Sequence, residues 1–413
     1  MESICGTFKT IPYVYICGKC FVFIYFYNNT IPVSYNIVAY IHRGIGQEIN
    51  KIIISLKEKE DIWEYIHMVR SNKKVNCNIS LLKITACIAV VGLHTLQKDI
   101  SLCNSALYYL CGFAVPIFLM INGYFLMNKT NVTKQYCLRK ICCILRVVIL
   151  WDLLYYGAKI CQNILLCHEG DNWLFGIDGC ILSGLVQKGF FWQFWYLGAL
   201  ILLYIMLPVL SRIPANVRIK TVLFLSGIMY VLYIWSIIRG NPVQKNVIQS
   251  FRLWTWLFYF MLGGILRNYE GWWKEKLSLC QNLILLAVFT VIVLIYQNLV
   301  GRSVIHEGIN TSSVLHAEYF YDSIIMVCWV IILFMTFIRL QLSDRTSRLV
   351  SSVEELTMGI YIVHPIIMRI YQRIIHPDTL FMSLFFFVMV LFTSAVIVWL
   401  INKSPLGKYM IHL

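Results

Sequence analysis

From Ile79 to Ile401 the chain is a succession of apolar runs, each close to twenty residues long, with most of the charge confined to the stretches between them. About twenty apolar residues is the length one helix needs to cross about 30 Å of hydrocarbon, whereas a membrane-spanning barrel alternates polar and apolar residues in segments of about ten. The pattern therefore predicts an all-α, polytopic membrane protein. Composition agrees, because 59% of the 413 residues are apolar, 13% are charged and the mean hydropathy is +0.70. A soluble domain carries about 25% charged residues, so this chain cannot cover a water-facing surface. Disordered, fibrous and disulfide-rich secreted classes are excluded on the same grounds. About ten spans are expected, at 79–97, 103–127, 141–159, 189–210, 219–238, 251–267, 281–299, 320–340, 353–374 and 380–401.

The formal charge of +15 would suggest nucleic acid in a soluble protein; in a membrane chain it reads as orientation and lipid contact. If the side preceding Ile79 is cytoplasmic, that side collects eighteen Lys and Arg and the opposite side nine, so both termini are expected in the cytoplasm. Fifteen cysteines do not make a disulfide framework, since Cys87, Cys111, Cys142, Cys143 and Cys328 lie within apolar runs where Cys acts as a small hydrophobe. Cys17-Gly-Lys-Cys20 has redox-like spacing without the strand and helix of a thiol oxidoreductase. Residues 1–75 read as an extension and 76–413 as one membrane domain. The extension holds an aromatic run, Ile11 to Tyr27, that is marginal as a span, and a polar amphipathic piece around Lys51 to His67. Met68 opens a basic lead-in to the first span, so translation is expected to be able to start there; a peripheral amphipathic extension is the rival reading.

An ionisable side chain inside a span costs about 2.5 kcal/mol or more, which makes each one informative. His94 falls in the outer half of the first span, about 22 Å from Ile79 along a helix. His364 falls midway through the ninth, next to a helix-bending Pro365. The two are a candidate acid/base pair, or neutral histidines bonded to neighbouring helices. Asp152 and Arg146 share the third span six residues apart, too far round the helix to pair, and should face other helices or water. Glu318 and Asp322 share a face near the start of the eighth and are expected to meet Arg252 from the sixth. Arg139, Lys140 and Arg146 gather at the inner end of the third span, where they suit a phosphorylated cofactor or simply the inner leaflet. His168, Glu169, Asp171, His306, Glu307 and His316 lie in outer loops open to a polar substrate. No spacing typical of a metal site or a phosphate-cradling glycine loop is present in the sequence.

Four stretches together resemble the acyltransferase type 3 family, bacterial ten-span membrane enzymes that acylate sugars of surface glycans. They are Asn78-Ile-Ser-Leu-Leu-Lys83 running on to His94, Phe113-Ala-Val-Pro-Ile-Phe-Leu-Met-Ile-Asn122-Gly-Tyr124, Phe194-Trp195-Tyr-Leu-Gly through Pro208, and Met358-Gly-Ile-Tyr361-Ile-Val-His364-Pro365. The resemblance covers about residues 76–410. It implies transfer of an acyl group from a cytosolic thioester, acetyl-CoA or another acyl-CoA, to a hydroxyl, with His94 as general base or transient acyl carrier. It further implies acid/base or acceptor-positioning roles for His364, Tyr361, Asn122 and Trp195, and donor binding by Arg139, Lys140, Arg146 and Lys83. No bound cofactor or metal is expected. The partners implied are acyl-CoA, a glycan or lipid-linked sugar and membrane lipid, with no nucleic acid, in a bacterial inner membrane.

The chain departs from the family pattern at several polar positions. Lys140 and Cys143 stand for two arginines three apart, Gly112 for an arginine, Ser80 for an acidic residue, Asn122 for a serine and Gln193 for a histidine. A lysine meets a phosphate as a point charge without the arginine fork. These changes fit either an altered donor or acceptor or a lost activity. Two rivals to transfer are a transporter or flippase, which would also need ten spans and buried polar residues, and a non-catalytic membrane sensor.

Overall fold

The computed structural model describes residues 13–17, 20–24, 59–97, 102–129, 132–165, 182–243, 246–303 and 315–413, with side chains from Cys77 onward except at 162–165 and 303. It comprises two compact units, Met1–Asn72 and Lys73–Leu413. In the first, strands β1 (Tyr13–Cys17) and β2 (Cys20–Ile24) pair antiparallel with Cys17 opposite Cys20. Part of the aromatic run that was marginal as a span thus forms two paired strands. Its β-branched and aromatic residues are what a pleated strand accommodates best.

The second unit is helical. It holds α1 (Lys59–Thr95) from Lys73 on, followed by α2 (Leu102–Leu110), α3 (Ala114–Leu126) and α4 (Lys134–Leu165). A loop with two 3-10 turns leads into α5 (Trp195–Leu210) and α6 (Ala215–Ile238). Then follow α7 (Leu253–Asn268), α8 (Glu270–Lys276), α9 (Leu279–Ser303), α10 (Ile324–Arg339) and α11 (Asp344–Glu354). The chain closes with α12 (Thr357–Tyr371), α13 (Leu380–Ile401) and α14 (Pro405–Ile411).

A helix or helical pair stands at each of the ten expected span positions, but only seven of them, among the described residues, are long and apolar enough to cross a membrane. The exceptions are α7 and α10, of 16 residues each, and α12, of 15. At about 1.5 Å per residue they reach about 24 Å, short of a 30 Å core. The missing length has a visible cause. The 3-10 turns Gln249–Phe251 and Ala317–Phe320 replace the first turns of α7 and α10, and a break after Glu354 separates α11 from α12. Phe224, Val231, Phe381 and Phe392 are exposed, as side chains facing lipid are.

Helices α3 and α7 form the tightest contact of the bundle, and small residues make it. A Cβ added at Gly123 would lie 1.7 Å from the Phe260 carbonyl oxygen, and one at Gly263 would lie 2.0 Å from that of Met120. Each helix thus presents a glycine to the other's backbone, the means by which membrane helices gain close van der Waals contact without a hydrophobic driving force. Asn128, just past α3, adds a 2.9 Å bond from Nδ2 to the Gly264 carbonyl. Nothing on this interface can shift cheaply, because both obstructing atoms are backbone. Gly123→Val should therefore lower stability by about 3 kcal/mol or prevent folding, while Gly227→Ala on α6, where nothing lies within 4 Å, should raise it by about 0.5–1 kcal/mol. Thermal melts of the two detergent-solubilised variants check the contrast.

Candidate active site

A cavity of about 530 Å³ runs lengthwise through the second unit. Lys83, Lys140, Glu354, Glu355, His412 and Leu413 line one end, and His94, Trp192, Gln193, His316 and Glu318 the other. Lys83 and His94 are both on α1, which sets the run between the two ends at about 16 Å. Between them the wall is largely apolar and aromatic, with Phe118, Trp195, Tyr196 and Tyr361. Such a cavity suits a small-molecule site in size, shape and its few convergent polar groups.

The two histidines singled out by the sequence meet. His94, in the last turn of α1, stacks on His364 of α12 with ring centroids 5.4 Å apart and planes 18° from parallel. Trp192 abuts His94 edge-on at 4.9 Å. His364 is fully buried, and its Nδ1 lies 3.0 Å from the Ile360 carbonyl oxygen. A carbonyl only accepts, so Nδ1 carries the proton and Nε2 holds the lone pair; no partner is bonded to Nε2. Tyr361, one turn earlier, donates its hydroxyl to the Gln193 carbonyl. Asn122 donates from Nδ2 to the Phe118 carbonyl at 2.8 Å and to the Tyr196 hydroxyl at 3.1 Å, which leaves its oxygen for a ligand. Trp195 stacks on Trp256 at 5.2 Å and lines the cavity.

Sequence reasoning missed Trp192 and the loop that carries it. Leu182 and Gln187 adopt φ of +68° and +61°, left-handed values that non-glycine residues hold only when their surroundings impose them. The imposing contacts are visible. Asp152 accepts from the Leu182 amide at 2.9 Å, Gln187 Oε1 accepts from the Gln249 amide at 3.0 Å, and Arg369 donates to the Phe190 carbonyl at 3.1 Å. Asp152 and Arg146 do serve separate neighbours, as their spacing implied. The signal available in the sequence was the aromatic sequence Phe190-Phe-Trp192-Gln-Phe-Trp195 at a predicted helix start.

At the cationic end the four expected donor-binding residues divide. Lys140 and Lys83 line the cavity, where Lys83 pairs with Glu354 at 2.7 Å and Lys140 donates to the Leu413 carbonyl oxygen at 3.2 Å. Arg139 is exposed, and neither it nor Arg146 belongs to the cavity lining. Arg146 instead donates to the His412 carbonyl at 2.6 Å and covers the Tyr409 ring at 3.9 Å, while Trp151 donates to Met410 at 3.1 Å. Lys140 is turned by about 100° from Arg139 and so reaches the cavity, while Arg146, about 10 Å further along α4 on nearly the same face as Arg139, is claimed by α14. His168, Glu169, Asp171, His306 and Glu307 lie outside the described residues.

The arrangement is a cavity within a bundle of apolar helices, with two imidazole rings at one end and cations at the other. The family model described as an acyltransferase domain matches residues 77–403, and the chain belongs to that family, the acyltransferase type 3 proteins. That family places the chain among acyltransferases of groups other than aminoacyl. No curated protein and no solved structure matches the chain.

The wall at the histidine end is anchored by a buried ion pair. Arg252, 0% exposed, donates to Asp322 at 3.1 Å, and Thr255 donates to the other oxygen of Asp322 at 2.6 Å. Gln249 and the Glu318 carbonyl accept further guanidinium hydrogens at 2.9 and 3.1 Å. The expected meeting with Arg252 is thus realised at Asp322 by side chain and at Glu318 by backbone. Removing one partner strands a buried charge, whereas removing both does not. Arg252→Met should cost about 3 kcal/mol or more, and Asp322→Leu added to it should recover a substantial part; denaturation of the single and double variants measures the coupling.

Proposed function

We propose that this membrane acyltransferase moves an acyl group, acetyl in the first instance, from a cytosolic acyl-CoA to a hydroxyl of a surface polysaccharide or cell-wall sugar. It would do so in a bacterial cytoplasmic membrane, with both termini on the cytoplasmic side. The observation that carries this reading is the His94–His364 stack at one end of a cavity whose other end holds Lys83 and Lys140. A thioester donor needs cations for its phosphates and a base for the attacking hydroxyl, held apart by roughly the length of its pantetheine arm. The cavity supplies both in that order.

In this mechanism the acceptor hydroxyl gives its proton to a ring nitrogen of His94 as its oxygen attacks the thioester carbonyl. The tetrahedral intermediate collapses with cleavage of the carbon–sulfur bond, and the departing thiolate takes the proton back from His94, leaving ester and free thiol. His364, its proton fixed on Nδ1, acts as a positioning residue through its stack on His94, assisted by the Trp192 edge. The Asn122 oxygen and the Tyr361 hydroxyl line the approach of the acceptor, and Trp195 supplies an apolar wall. On the donor side Lys140 and Lys83 would exchange the Leu413 oxygen and Glu354 for phosphate oxygens. Arg139 and Arg146 lie off this route.

Transfer of labelled acetyl from acetyl-CoA to endogenous glycan, in membranes holding equal amounts of each variant, tests the reading. His94→Ala should reduce label by about 100-fold or more, and label retained by that variant overturns the role of His94. Lys140→Ala should raise KM for acetyl-CoA while Arg139→Ala leaves it unchanged. The reverse pattern would move the donor site to the exposed face of α4.

A further inference from the structure

A buried carboxamide without partners is unfavourable at both its donor and its acceptor. Gln193 is such a residue: it is 1% exposed, belongs to the cavity wall, and neither Nε2 nor Oε1 is hydrogen-bonded. It is also held in place. Its carbonyl accepts from Tyr361, Trp192 before it abuts His94, and Trp195 after it stacks on Trp256. A rigid amide with both functions unsatisfied, next to the candidate base, selects among ligands by what each can return to it.

A thioester carbonyl or a phosphate only accepts, so it would satisfy Nε2 and leave Oε1 orphaned. A cation would do the opposite. Two adjacent hydroxyls, each able to donate and to accept, satisfy both atoms together. The neighbouring Trp192, Trp195 and Tyr196 rings provide the apolar surface against which the C–H face of a pyranose packs. We propose that Gln193 is an acceptor-recognition residue, binding a pair of vicinal hydroxyls on the sugar and so holding a neighbouring hydroxyl at His94. This inference rests on the sugar-acceptor reading above and gives it a residue that sets specificity.

The test is binding without an acyl donor, so that it does not depend on turnover. Protein in lipid nanodiscs is titrated with methyl glucoside, galactoside and mannoside, their monodeoxy derivatives, and methyl N-acetylglucosaminide, with tryptophan fluorescence as the readout. At least one intact sugar should bind the parent. Gln193→Met, which keeps the volume and removes both hydrogen-bonding functions, should weaken that sugar about tenfold or more. Gln193→Glu, which keeps the acceptor, should weaken it less, and it carries the same comparison if the Met variant does not fold. A monodeoxy sugar lacking a contacted hydroxyl should bind the parent more weakly and lose nothing further on Gln193→Met.

The inference is overturned if the parent binds none of these sugars, or if intact and deoxy sugars lose equally on substitution. It is also overturned if only the acetamido sugar depends on Gln193, which would make the amide group the recognised feature. Gln193-dependent binding with no label transferred would retire the transfer reaction while keeping the recognition site. Label transferred to an acceptor that is not a sugar would do the reverse.

Discussion

The backbone contact between α3 and α7 is the constraint on which the rest of the bundle depends. Gly123 and Gly263 each leave room for the other helix's carbonyl, and no side chain larger than hydrogen fits at either. Two elements of the site are built directly on this crossing. Asn122, the residue before Gly123, is turned to the cavity, and α7 carries Trp256 and Tyr259 toward its other end, where Arg252 caps it. Tyr259 donates to the Tyr321 carbonyl at 2.7 Å, so the position of α7 also fixes the segment ahead of α10. The contact between α3 and α7 has a single workable geometry, because the obstructing atoms are backbone.

Around that rigid pair the candidate site is assembled from parts far apart in the chain. α1 brings His94, α12 brings His364 and Tyr361, and the loop before α5 brings Trp192 and Gln193. The loop is braced by polar contacts: Asp152 holds it at its start, and Arg369 holds it near its end. Local strain at Leu182 and Gln187 is balanced by these bonds, a pattern common where a side chain must be presented in one orientation.

Much of this could be read from residues alone, and the reasons for success and failure are physical. The spans at α4, α6, α9 and α13 were legible because their hydropathy is continuous over more than twenty residues. Those at α7, α10 and α12 were read as too long, because apolar residues also fill 3-10 turns and the sequence pattern does not distinguish the two. His94 and His364 were legible as rare ionisable groups in apolar runs, yet their stacking depends on tertiary packing that no spacing encodes. Arg139 and Arg146 looked equivalent to Lys140 by charge; a rotation of about 100° turns Lys140 away from Arg139, and Arg146, two turns further along the face it shares with Arg139, meets α14. Gln193 stood out only as a departure from the family pattern, and its burial without partners appears only in three dimensions.

The buried pair of Arg252 and Asp322 also bears on how the protein is made. The two residues are 70 apart in sequence, and α7, short and headed by an arginine, lies between them in order of synthesis. At about 5–20 residues per second, translation reaches Asp322 roughly 4–14 s after Arg252. During that interval Arg252 lacks its native partner, because Asp322 and the head of α10 have not yet been made. Assembly of the site is thereby tied to a late event: the wall beside His94 closes only when the second half of the chain has entered the bilayer.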